Sequence, residues 1–339
     1  MLNKIKFAVV GCGHIGKRHA EMIVREKGAE LVALCDIKSP QDTGIQQLNV
    51  PFFNSLDDLL KNGVNFDVLN ICTPNGLHAE MAIKAIGAGH HTVIEKPMAL
   101  TVAEAEKIMF TALKYHRQVF CVMQNRYSPP AVWIKKMVEA GKLGDIYIVQ
   151  LNCYWNRDDR YYKLDGWHGT KTLDGGTLFT QFSHFVDIMY WLFGDITDIK
   201  ARFADFNHAG LTDFEDSGII NFRFTNGNTI GSLNYSTSIW DKNFESSITI
   251  IAKNGSIKLG GQYMDKVEYC HVKDYEMPEL QSTPPGNDYG TYKGSAQNHD
   301  KVIRNVVNVL SGQHSETITT NVLEGLKVVD IIERMYKEK

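Results

Sequence analysis

The segment Gly11-Cys12-Gly13-His14-Ile15-Gly16 sets three glycines at the spacing G-x-G-x-x-G, directly after the apolar run Ile5–Val10 and ahead of a helix-like stretch at 17–27. Such a turn suits a dinucleotide. The first glycine makes the bend, the second lets backbone approach a pyrophosphate, and the third packs helix on strand. The helix start then offers unpaired N–H groups and partial positive charge to the phosphates. Glycines are common in turns, so the motif gains meaning from its strand and helix. Asp36 ends the next apolar run, where an acid bonds a ribose 2′-hydroxyl and repels a 2′-phosphate. That favours NAD over NADP, with Lys38 nearby pulling the other way.

Glu95-Lys96-Pro97 follows the apolar run at 91–94. In open α/β sheets the working residues cluster at the carboxyl ends of strands. A lysine there hydrogen-bonds a substrate hydroxyl and stabilises its developing negative charge, or it is a surface lysine after a strand; the pattern fits both. Residues 177–193 read as one strongly apolar helix. Leu178, Phe182, Phe185, Met189 and Leu192 form a stripe, and Thr180, Gln181, Ser183, His184 and Asp187 lie opposite, with no Lys or Glu among them. An exposed face would carry such charges, so this one is read as lining a cleft. His184 is then a general base whose ordinary pKa lies near working pH, or a histidine satisfied in the core.

The stretch 156–176 is irregular and holds Arg157, Arg160, Tyr161, Tyr162, Trp167, His168 and Lys171. Arginines beside tyrosines suit an anionic, ring-shaped ligand and equally suit an oligomer contact. No metal site is expected. His90-His91 are adjacent, His14 and His19 lie five apart, and no Cys/His group has zinc spacing.

Positioning these groups takes two kinds of architecture. The runs at 5–10, 31–35, 68–72, 91–94 and 119–123 lack polar alternation, as in parallel strands covered on both faces by helices. Ser55 before Leu56, Leu59 and Leu60, the box Thr101-Val102-Ala103-Glu104, and Gly87 and Gly89 after the segment at 79–87 punctuate those helices. From Ile146 the pattern alternates: Ile220, Phe222 and Phe224 face one way and Asn221, Arg223 and Thr225 the other. Runs at 229–238, 246–252, 256–259 and 266–271, with a hairpin turn at Asn254-Gly255, complete an open antiparallel sheet. Residues 278–292 read as a loop, and 296–310 and 322–336 as amphipathic helices. The fold class is α/β: a Rossmann domain at 1–124, then an α+β domain at 125–339 with an open, mainly antiparallel sheet.

The bulk composition agrees. The chain has 339 residues, 43% hydrophobic and 22% charged, with net charge −3, so neither a nucleic-acid binder nor a membrane protein is expected. The N-terminus leaves no room for a signal peptide before the first strand, and six cysteines without a C-x-x-C pair fit a reducing cytoplasm. A half-covered sheet suggests a homo-oligomer, a dimer or tetramer.

Taken with Cys72-Thr73-Pro74-Asn75 and the run Gly175-Gly176 to His184-x-x-Asp187, these motifs resemble the Gfo/Idh/MocA oxidoreductases over essentially the whole length. Gln124-Asn125-Arg126-Tyr127, Tyr154-Trp155-Asn156-Arg157, Arg160-Tyr161-Tyr162, Asp165-Gly166-Trp167-His168-Gly169-Thr170 and Leu173-Asp174-Gly175-Gly176 resemble its UDP-N-acetyl-glucosaminuronate 3-dehydrogenase branch, which serves lipopolysaccharide and other surface-polysaccharide synthesis. The resemblance implies NAD-dependent oxidation of a sugar carbon-3 hydroxyl. It assigns Gly11, Gly13, His14, Ile15, Gly16, Asp36 and Ile37 to the adenosine and pyrophosphate end. Thr73, Asn75, His78, Glu95, Lys96, Gln124 and Trp167 complete the cofactor set. Lys96 would bond the reacting hydroxyl and His184 take its proton. Asn125, Arg126, Arg157, Tyr162, Gln181 and Asp187, with Lys96 and His184, would form the substrate set. The peptide bond before Pro97 is expected to be cis. Two residues depart from the family pattern: Thr180 replaces an acid that many relatives carry four residues before His184, which fits the branch, and His168 stands where the branch often has arginine. An inositol or free-sugar dehydrogenase is the alternative within the family, and a non-catalytic NAD sensor or scaffold the alternative outside it.

Overall fold

A computed structural model of the chain describes residues 4–163, 166–283, 285–288, 290, 293–312 and 316–339. It divides into two compact units, Met1–Met123 with Asn298–Val329, and Gln124–Gln297 with Asp330–Lys339.

The first unit holds β1 (Ile5–Val10), β2 (Ala29–Cys35), β3 (Phe52–Phe53), β4 (Val68–Ile71), β5 (His91–Ile94) and β6 (Val119–Cys121). Every pairing is parallel, in the order β3-β2-β1-β4-β5-β6. This is the doubly wound arrangement of a Rossmann domain, with the strand order reversing beside β1. The helices are α1 (His14–Arg25), α2 (Pro40–Thr43), α3 (Leu56–Lys61), α4 (His78–Gly87) and α5 (Val102–Tyr115). The expected capping box opens α5: Thr101 accepts the Glu104 N–H, and the Glu104 carboxylate accepts the Thr101 N–H. Strand β3 escaped the sequence reading because two residues are too few to show a period.

The second unit contains α6 (Pro129–Glu139), β7 (Ile146–Tyr154), α7 (Ser183–Phe193), β8 (Ile196–Ala204), β9 (Ser217–Phe224), β10 (Ile230–Ser236), β11 (Glu245–Ala252), β12 (Gly255–Gly260) and β13 (Lys266–Val272). The sheet order is β13-β12-β11-β7-β10-β9-β8, antiparallel except for β7 with β10. Ile220, Phe222 and Phe224 are buried as their alternation required. Three sequence expectations change. The hairpin turn is Lys253-Asn254, with Gly255 already paired to Ala252. Within 278–292, Gly286–Asp288 forms β14, which pairs with β15 (Lys293–Ala296), so this region is not wholly a loop. The single helix expected at 177–193 begins instead with a π-helical turn, Leu178–Phe182.

The last helices are α8 (His299–Ser311) and α9 (Val322–Tyr336). Residues 298–329 cluster with the first unit, at odds with the division 125–339. The reason is packing. Helix α8 buries Val302, Ile303, Val306 and Val307 and lies on α1. Gly28 admits that contact, since a Cβ there would meet Val307 Cγ1 at 2.5 Å.

Candidate active site

In the first unit, Gly11 has φ +82°, and a Cβ on it would lie 2.7 Å from the Cys72 carbonyl and the Thr73 nitrogen. A Cβ on Gly16 would fall 1.7 Å from the Gly11 oxygen. No larger residue fits either place without moving backbone. Gly13 is the N-cap of α1 and brings no side chain to the first N–H groups. Those donors, the glycine cradle and the dipole suit a pyrophosphate. Asp36 holds the turn in place. Its Oδ2 accepts the Cys12 N–H at 2.5 Å and its Oδ1 the Lys38 N–H at 2.8 Å. The neighbouring Ile37 is 89% exposed, an apolar surface beside the Asp36 carboxylate that suits an adenine face. Burial, then the Asp36 charge, pushes the Cys12 thiol up to about 12, so it is no nucleophile.

Beyond β4 and β5 the chain makes two loops that carry Thr73, Asn75, Glu95 and Lys96. The Lys96–Pro97 bond is cis, as the resemblance implied. His78 ties the loops together: Nδ1 lies 2.7 Å from the Pro97 oxygen and Nε2 2.8 Å from the Thr73 oxygen. Burial pushes its pKa down, and the two carbonyls and Glu95 oppose that. With both ring nitrogens on backbone oxygens, His78 braces the loops that carry Thr73 and Lys96. Glu95 also turns inward. Its Oε1 is 2.9 Å from His19 Nε2 and 3.5 Å from His299 Nε2, and its Oε2 accepts the Lys96 N–H at 3.1 Å. Lys96 is half-buried.

In the second unit the π turn and α7 bury Thr180, Gln181, Ser183, His184 and Asp187. Such turns concentrate at functional sites because the extra residue re-aims the side chains after it. Outside partners hold it open: the Leu178 N–H donates to the Tyr336 hydroxyl, and Thr177 Oγ1 to the Glu215 carbonyl. Thr180 turns to Asp174, donating to both its carbonyl and its carboxylate. The amide of Gln124 lies 3.3 Å from His184 Nε2.

Arg126 and Asp187 form a forked ion pair, Nε–Oδ2 at 2.9 Å and Nη2–Oδ1 at 2.7 Å, with both side chains fully buried. Arg157 is likewise enclosed. It donates to Gln181 Oε1, the carbonyls of Asn156 and Lys293, and Asn243 Oδ1, with Trp155 and Tyr161 rings 4.8 and 5.1 Å away. Gln181 in turn donates to the Tyr161 hydroxyl. Tyr162 packs against Tyr161 and His208, and burial raises its phenol. Against the expectation of an anion clamp, the Arg126 fork is taken by Asp187 and Arg157 is bonded on every side. Sequence shows an arginine but not which acceptor it finds. Asn125 differs: it is 5% exposed and its Oδ1 has no hydrogen-bond partner among the described residues. A buried amide oxygen in that state is what a ligand donor satisfies. Trp167 stacks on His168, centroids 3.9 Å apart. Asp165 of the same motif lies outside the described residues.

Sequence spacing missed how distant residues converge. Among the described residues two groups have the composition of a metal site, His19 with Glu95 and His299, and Asp205 with His208 and Asp216. The latter already works by hydrogen bonds: His208 Nδ1 lies 2.9 Å from Asp216 and its Nε2 meets the Arg157 carbonyl. The one available signal was Asn70, a lone polar residue inside Val68–Ile71. A hollow of about 460 Å³ in the second unit, near Phe203, Glu215 and Lys339, contains none of the candidate residues.

Two family models cover most of the chain. Residues 5–123 match an oxidoreductase family with an NAD-binding Rossmann fold, and residues 132–258 match the GFO/IDH/MocA C-terminal domain. The chain belongs to the GFO/IDH/MocA oxidoreductase family. The WlbA dehydrogenase of Bordetella pertussis, crystallised with NADH and UDP-GlcNAcA, is 30% identical over 99% of this chain and 96% of its own, with TM-score 0.86. The WlbA enzyme of Chromobacterium violaceum, crystallised with the same two ligands, is 28% identical over 99% and 94%, also at 0.86. The inositol 2-dehydrogenase of Salmonella typhimurium is 25% identical over 229 residues, and this chain spans 65% of its length. For this family member the cradle, the Asp36 clamp and the exposed Ile37 fit NAD. No helix among the described residues is long and apolar enough to cross a membrane.

Proposed function

We propose that the chain is an NAD-dependent dehydrogenase that oxidises the carbon-3 hydroxyl of a UDP-linked N-acetyl-hexosaminuronic acid to a ketone, in the synthesis of a surface polysaccharide such as lipopolysaccharide. The observation that carries the reading is the nearly full-length similarity to WlbA enzymes holding NADH and UDP-GlcNAcA. Bound NAD supplies the acceptor for the carbon-3 hydride. Lys96 donates a hydrogen bond to the reacting oxygen and stabilises its negative charge. His184 takes the hydroxyl proton. Asn125 offers a buried acceptor for the sugar acid, and Arg126 and Arg157 shape the wall around it through Asp187 and Gln181. The similarity to inositol 2-dehydrogenase favours a second reading, oxidation of a free polyol.

A substrate panel separates these readings. NADH formation is expected with UDP-N-acetyl-glucosaminuronic acid at a kcat/KM at least about 100-fold above that with myo-inositol or free glucose, because losing the nucleotide and carboxylate contacts costs several kcal/mol. A preference for myo-inositol would replace the first reading with the second. No NADH from any of them would favour a sensor or scaffold.

We also propose a homo-oligomer in the cytoplasm. The adjacent strands β7 and β10 turn Ile148, Gln150, Asn152, Ile230, Ser232 and Asn234 to the side opposite the core, and none is charged. A face left in water is usually dressed in Lys and Glu. Sedimentation should give a dimer or tetramer, and Asn234→Lys with Ser232→Arg should shift it toward monomer. A monomeric native protein would refute this.

A further inference from the structure

Four buried side chains from four elements meet beneath the Lys96 turn: His19 on α1, Asn70 on β4, Glu95 after β5 and His299 at the start of α8. The Asn70 amide nitrogen lies 2.8 Å from His19 Nδ1. An amide NH₂ only donates, so Nδ1 accepts and the ring proton sits on Nε2. That proton points at Glu95 Oε1, 2.9 Å away. The other carboxylate oxygen accepts the Lys96 N–H. The hydrogen bonds therefore run in one direction, from a core strand through an imidazole to the carboxylate under the proposed catalytic turn.

We propose that His19, its tautomer set by Asn70, is a positioning residue that pins the Glu95 carboxylate under the Lys96 backbone and so aims the Lys96 ammonium. This rests on the reading of Lys96 as the group that meets the reacting oxygen. The cluster also has the His/His/Glu composition of a metal site, but a His19 Nε2 that carries a proton has no lone pair for a cation. A buried carboxylate is costly unless it is hydrogen-bonded. Burial alone would raise the Glu95 pKa. The His19 bond, then the nearby His299 ring, outweigh it and hold the carboxyl well below the usual range. The other groups acting on this cluster are Cys72 at the end of β4, His78 on α4, and Arg18, whose charge acts on His299.

The pair His19→Leu and His19→Gln tests this in the NAD-loaded full chain. Gln keeps an N–H donor at the ε position and Leu does not. We expect His19→Leu to lose about 10–100-fold in kcat with KM within about threefold, the size seen when a supporting hydrogen bond behind a reactive group is removed. His19→Gln should recover most of that loss. A purely structural role would lower stability without a selective kcat loss that His19→Gln recovers. A folded His19→Leu with native kcat, a His19→Gln no more active than His19→Leu, or a stoichiometric transition metal lost in His19→Gln would each overturn the proposal. A fully active Lys96→Ala variant would instead overturn the underlying reading of Lys96.

Discussion

Replacing Lys96 with alanine is expected to lower kcat by on the order of 10³-fold while NAD affinity stays within about threefold. The size reflects removal of a charged donor aimed at an oxygen that gains negative charge only as the hydride leaves; one such donor is worth about 10²–10³-fold. The fold should tolerate the change. Lys96 is half-buried, and its backbone N–H, the part bonded to Glu95, survives the substitution. The glycine cradle at Gly11, Gly13 and Gly16, which suits a pyrophosphate, is built from other residues, so NAD titration of the variant should look native. Stopped-flow NADH formation with the preferred UDP-sugar acid measures the loss, and full activity in a folded variant would refute the role given to Lys96. Loss of NAD binding together with turnover would assign Lys96 to the cofactor.

The second large effect concerns stability. Asp187→Ala strands the Arg126 guanidinium in a site where both side chains are fully shielded from water. Breaking a buried pair from one side costs about 3–5 kcal/mol. For a unit of this size that is on the order of 10 °C in the thermal transition. Replacing both partners, Arg126→Met with Asp187→Leu, removes the stranded charge and should return most of the lost stability. The double variant also tests the substrate side. If Arg126 chiefly answers Asp187, KM for the UDP-sugar acid should rise less than about threefold. A rise beyond about tenfold in a stable double variant would return Arg126 to the substrate, where the family resemblance first put it. Equal melting of the single and double variants would show that the pair contributes little.

How far the sequence reached can be judged residue by residue. The parallel strands were legible because burial on both faces leaves uninterrupted apolar runs, and Val68–Ile71 is buried at every position. The second sheet was legible because one uncovered face enforces alternation, as in Ile220, Phe222 and Phe224. Short elements were not: Phe52–Phe53 has no period to read, and Gly286–Asp288 lies in a stretch rich in turn formers. The π turn at Leu178–Phe182 was also hidden, because its apolar stripe matches an ordinary helix and its bulge is held by Tyr336 and Glu215, distant in sequence.

The sequence alone determined the glycine cradle, the acid after β2, the lysine after β5 and the composition of the helix bearing His184, since each is a local pattern whose chemistry depends on neighbours a few residues away. Only the tertiary structure decided that Asp187 takes the Arg126 fork, that Gln181 and Asn243 enclose Arg157, that His78 ties two loops, and that His19 stands behind Glu95. The division has a physical cause. Backbone shape and burial are written in short-range periodicity, whereas the partner of a buried charge is whichever group the folded chain brings within about 3 Å, and in these cases most of those groups lie tens of residues away.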